Sequence, residues 1–169
     1  MTLAGFGYTC ALALAVVLAV AAVAKLRDLD ATARSFADLG LPRPATMARV
    51  VPAIEGGTAV ILVLTPVLGG FVALALLAFF TTFLVSRLLA GVQAPCSCFG
   101  SSRRDPISAA NLVGNGFLIL LALGALASSG PQVPAAADVA LLAVAVGVEV
   151  GVHAAVRRAV TRSPSAGVR

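Results

Sequence analysis

Two thiols stand one residue apart in Cys96-Ser97-Cys98-Phe99-Gly100, inside a short polar stretch flanked by apolar segments. A disulfide between them would close a very small ring, so it would be strained and easy to reduce, which suits exchange better than permanent stapling. Arg103 and Arg104, with a helix start after Asp105-Pro106, supply positive potential that favours the reactive thiolate. Two other readings stay open: the thiols rest reduced without chemistry, or they form half of a metal site that a partner completes.

Few other residues offer chemistry. Cys10 lies in the first apolar segment, towards the opposite face, and reads as a small buried hydrophobe. Glu55 falls inside a second apolar segment, where an ionised carboxylate needs a partner, and Lys25 or Arg27 is the candidate. Glu149 and His153 are four apart and share a helix face, so they can satisfy each other. No catalytic triad, phosphate loop, haem attachment motif or metal-ligand cluster can be made out, and no cofactor is called for.

The elements that must carry these residues are membrane helices. Apolar residues make up 60% of the 169, charged residues 11%, and the mean hydropathy is +1.03. A soluble domain carries about 25% charged residues, so this chain cannot clothe a water-facing surface. The fold class is all-α, an integral membrane helical bundle whose first partner is the lipid bilayer. The net charge of +5 does not mark a nucleic-acid binder, because the arginines are scattered and no basic, aromatic-interleaved surface exists.

Segment lengths divide the chain. Met1–Ala24 carries no charge, has no basic residue before it and exceeds a signal-peptide core, so it reads as a retained span over about 3–24. In the polar interlude Lys25–Arg49, Asp28 or Asp30 caps a short helix through Ala31–Leu39, which Gly40-Leu41-Pro42 stops. Phe36 and Leu39 set against Arg34 and Asp38 suggest a helix lying in the membrane interface. Val51–Arg87 as one helix would be roughly 54 Å long, well beyond a hydrocarbon core of about 30 Å. Pro66-Val67-Leu68-Gly69-Gly70 breaks it into spans over about 51–66 and 70–89, with Pro52 in the first turn. A fourth span covers about 107–127. Residues 128–156 supply a linker and a fifth span containing Asp138, Glu149 and His153, and 157–169 form a basic tail.

Five spans put all twelve Lys and Arg, from Lys25 to Arg169, on one side. The positive-inside rule makes that side cytoplasmic, with the cysteine loop and the C-terminus there and the N-terminus outside the inner (plasma) membrane.

Ala24-Lys25-Leu26-Arg27-Asp28, Pro52-Ala53-Ile54-Glu55, Cys96-Ser97-Cys98-Phe99-Gly100 and Asn111 together resemble the methylamine utilisation protein MauE family of DoxX-like membrane proteins, over roughly Leu3 to Ala127. The resemblance implies a four-helix membrane domain over 1–127 and marks Cys96 and Cys98 as the redox pair. It also marks Lys25, Asp28, Glu55 and Asn111 as family-patterned polar positions. It further implies association with maturation of the disulfide-rich small subunit of methylamine dehydrogenase, alongside a thioredoxin-like partner. This chain departs from the pattern by its fifth span and by Ala110, where an Arg is expected before Asn111. The function expected is thiol–disulfide handling, as an oxidoreductase or its accessory. The alternative is a non-catalytic membrane subunit anchoring a respiratory or quinone-linked complex; nothing in the sequence specifically supports quinone as a partner.

Overall fold

The computed structural model describes residues 2–91, 109–133, 135–140, 142–144 and 147. Its elements are helices: α1 (Leu3–Arg27), α2 (Leu29–Asp38), α3 (Pro44–Leu64), α4 (Pro66–Leu89) and α5 (Ala109–Ala125). Residues 136–140, 142–144 and 147 are helical too, and most of the rest of the expected fifth span lies outside the described residues. The protein is an all-α, multi-pass membrane bundle. α1, α3 and α4 are long and apolar enough to cross a membrane, and Asn111–Ala125 is a shorter apolar stretch.

α1 shows why a bilayer is the solvent. Thr2 caps it, its hydroxyl accepting from the Gly5 amide at 3.1 Å, and Lys25 and Arg27 in the last turn oppose the helix dipole. Between these ends it is apolar all round. Ala11, Leu14, Leu18 and Ala22 are buried, whereas Val16 and Val20 on the other side are 63% and 60% exposed. Water would penalise that second face; lipid chains do not.

α1 packs against α3 and α5, α3 against α4, and α4 against α5, so the four long helices close into a ring. α1 and α3 run antiparallel: Tyr8 hydroxyl donates to the Val63 carbonyl at 3.3 Å near one end, and Ala22 faces Gly56 nearer the other. α2 is the exception to the membrane pattern. Asp28 caps it through the Ala31 amide at 2.8 Å, and Gly40, at φ +75°, ends it. Its Phe36 and the adjoining Leu39 are buried with Val51 and Leu84, so its apolar side seals one end of the bundle.

Three boundaries differ from the sequence reading. The second span begins at Pro44, not near 51, because Pro44 is itself a good first helical residue after Arg43. Pro52 therefore lies inside α3, fully buried, rather than in its first turn. The break is confined to Thr65, and Pro66 opens α4. Gly69 and Gly70 belong to α4 and serve packing: a Cβ on Gly69 would fall 2.5 Å from the Leu62 Cα. Proline restricts the residue before it, so the single non-helical residue Thr65 suffices to reverse the chain.

Candidate functional site

Lys25 sits in the last turn of α1 and Glu55 is eleven residues into α3. The Cα–Cβ bonds of a helix tilt towards its N-terminus, so on antiparallel neighbours these two side chains converge. Lys25 Nζ donates to Glu55 Oε1 at 2.8 Å and Oε2 at 2.9 Å, with the side chains only 4% and 5% exposed. Of the two cations offered by the sequence, the bundle selects Lys25; Arg27 is exposed. The pair bolts α1 to α3, and Thr32 extends the join by donating to the Lys25 carbonyl at 3.1 Å. Removing one member of such a pair leaves an uncompensated charge and costs about 3–5 kcal/mol.

Next to the pair lies a cavity of about 350 Å³ walled by residues of all five helices. Lys25, Glu55, Asn111 and Asn115 border it, but the surface that faces the space is almost wholly apolar, with Phe36, Met47, Phe80 and Phe83 prominent in it. Phe79 also lines it yet is 65% exposed, so the cavity reaches the lipid-facing surface of α4. Left empty, an apolar cavity of this volume would cost on the order of 8 kcal/mol at ~24 cal/mol per Å³. That is comparable to the whole stability of a domain.

Asn115 is the site residue the sequence reading missed. It is 6% exposed and donates to Thr81 Oγ1 at 2.8 Å, and Thr81 in turn donates to the Leu77 carbonyl at 2.7 Å. The signal was present: Asn115 stands four residues after Asn111, on the same face of α5.

Of the expected polar positions, the structure thus gathers Lys25, Glu55 and Asn111 around one cavity. Asp28 stands apart as the α2 cap. Cys96 and Cys98, with Arg103 and Arg104, lie outside the described residues, as do Glu149 and His153. In sequence the thiols fall between Gly91, just past α4, and Ala109, the start of α5. Both tethers are at the cavity's end of the bundle, because Leu84 near the end of α4 and Asn111 near the start of α5 line that cavity. Arg87 also lies there, its guanidinium 5.0 Å from the Phe83 ring centroid and one Nη donating to the Gly40 carbonyl at 3.5 Å.

At the other end, Cys10 is 2% exposed and packs where a Gly124 side chain would be, its Sγ 2.8 Å from that Cβ position. Asp138, expected within the fifth span, is 1% exposed, and its Oδ2 lies 3.2 Å from the Cβ position of Gly5 in the first turn of α1. Its Oδ1 has no hydrogen-bond partner.

Residues 3–128 match the model of the family described as methylamine utilisation protein MauE. A methylamine utilization protein MauE of Paracoccus denitrificans is 33% identical over 141 residues, which cover 80% of this chain and 74% of that protein. No solved structure matches.

Proposed function

This chain belongs to the MauE family, and from that premise we propose that it serves methylamine utilisation as a membrane-embedded thiol–disulfide factor acting in the maturation of a partner protein. The observation that carries the reading is the position of Cys96-Ser97-Cys98. It lies within the matched region 3–128, in the sequence between α4 and α5, whose facing ends border the cavity. Residues 1–127 act as the functional unit, with 128–156 an appended linker and helix and 157–169 a basic tail. In this reading the cysteine loop and C-terminus face the cytoplasm of a plasma-membrane protein whose N-terminus is outside, as the one-sided Lys and Arg favour.

The chemistry is thiol–disulfide exchange with a thioredoxin-like partner. A thiolate of Cys96 or Cys98 attacks a partner disulfide, forming one mixed S–S bond as the partner's own bond breaks. The second cysteine then attacks the mixed disulfide, releasing the partner as a dithiol and leaving Cys96–Cys98 oxidised. Two electrons and two protons pass to the partner in sum. Lys25 and Glu55 take no part in the bond changes; they hold α1 to α3. Asn111 lines the cavity near the start of α5.

Single variants test the exchange. Cys96→Ser and Cys98→Ser should differ: loss of the resolving thiol traps a partner adduct on non-reducing gels, and loss of the attacking thiol traps none. The double variant should fold and fail in function. Full complementation by the double variant would instead favour a non-catalytic membrane anchor. A membrane-impermeant maleimide tests the topology, since in intact cells it should leave both thiols unlabelled until the inner face is opened.

A further inference from the structure

The cavity has a direction. Along α1 it is lined from Leu18 to Lys25, along α4 from Leu77 to Leu84 and along α5 from Asn111 to Leu118. Each stretch advances seven positions, about 10 Å at 1.5 Å per residue, so the space is a slot parallel to the helices and to the chains of a surrounding bilayer. Its deep end is Leu18, Leu77 and Leu118, which all belong to the main apolar core. Lys25, Glu55 and Asn111 stand at the end towards the membrane edge, and Asn115 stands between. The wall of the slot is apolar along its length, and its polar neighbours border it only at the end towards the membrane edge.

We infer that this slot binds the hydrocarbon chain of one bilayer-soluble amphiphile whose head is uncharged. The chain lies against Leu18, Leu77, Leu118 and the phenylalanines, entering beside the exposed Phe79. The head lies at the end bordered by Asn111 and the ion pair. Its neutrality follows from the walls. Lys25 and Glu55 cancel each other at 2.8 Å and the asparagines are neutral, so a charged head would bring an unmatched charge to a buried site. An ester-linked acylglycerol and a prenylated quinone both have this chemistry. The inference stands independently of the thiol reading, because no cysteine of the loop enters it.

The chain has no Trp, so Phe83→Trp installs a single indole in the slot wall. The detergent-solubilised full-length Phe83→Trp protein is titrated in two arms, one with decylubiquinone and one with a brominated short-chain diacylglycerol, both of which quench indole emission. Saturable quenching is expected in at least one arm, and the arm that saturates identifies the source. Filling the slot by Ala21→Phe, or separately by Leu77→Phe, should weaken that quenching at least tenfold in whichever variant elutes as the wild type does. The Cys96→Ser/Cys98→Ser double variant should bind unchanged, which separates failure of this inference from failure of the exchange reading. Quenching that rises without saturating in both arms, or that saturates equally in the filled variants, would overturn the inference.

Discussion

The two ends of this bundle solve the same packing problem in opposite ways. Where α1 meets α5, small residues bring backbones together: Gly7 lies so near Ser128 that a Cβ there would fall 2.6 Å from its amide nitrogen, and Gly124 admits the Cys10 sulfur. No space is left. Where α1, α3, α4 and α5 surround Lys25, the contacts are Phe36, Met47, Phe80 and Phe83, and large side chains hold the helices apart around about 350 Å³. A bilayer provides no hydrophobic drive for helices to associate, so contact has to come from close packing or from polar ties. The tight end relies on the first and the open end on the second. An ion pair can hold two helices without filling the space beside it, and that leaves a cavity compatible with a stable bundle.

The sharpest way to break the comparison is to remove the tie. Glu55→Gln should lower stability by about 3–5 kcal/mol, less where the site is wet, because Lys25 is left buried and poorly matched. Thermal unfolding in detergent would show it, and the swap Lys25→Glu with Glu55→Lys should recover part of the loss. Wild-type unfolding of Glu55→Gln would mean that packing alone holds this end too. The close contact between α3 and α4 should give the next largest effect. Gly69→Ala pushes a methyl group to 2.5 Å from the Leu62 Cα, an overpacking expected to cost about 1–3 kcal/mol. Gly57→Ala is its control, since a Cβ there meets nothing within 4 Å. It should be neutral or stabilise by roughly 0.5–1 kcal/mol, as Gly→Ala does in an unobstructed helix.

Two smaller effects sharpen the picture of the open end. Asn115→Ala removes the donor to Thr81 and should cost about 1 kcal/mol. Because Asn115 lines the slot, the same variant should also shift amphiphile quenching, whereas Asp28→Ala should not. Asp28→Ala removes the α2 cap, at about 1 kcal/mol as well, and should show first as earlier hydrogen exchange in residues 29–38.

The sequence by itself determined the class of the molecule. Sixty per cent apolar residues in runs too long for one crossing demand a membrane bundle. Local chemistry was legible wherever it depends on neighbours in the chain: the Asp28 cap, the Gly40 stop and the need for a reversal near Pro66. The motifs around Lys25, Glu55, Cys96, Cys98 and Asn111 also carried the family resemblance. Other features were decided only by the tertiary structure. In a soluble helix apolar periodicity marks the buried side, but α1 is apolar on every side, so its sequence does not separate Leu14, fully buried, from Val16, facing lipid. Nor does the sequence show that α3 starts at Pro44, seven residues ahead of the apolar run at Val51, so that Pro52 lies inside the helix: Ala48 and Val51 are buried there against Phe36 and Leu84. A proline can sit inside a membrane helix when neighbouring helices support it. The choice of Lys25 over Arg27, the recruitment of Asn115 and the slot itself depend on how antiparallel helices register against one another. That register is set by small residues such as Gly7 and Gly124, whose effect exists only once two helices meet.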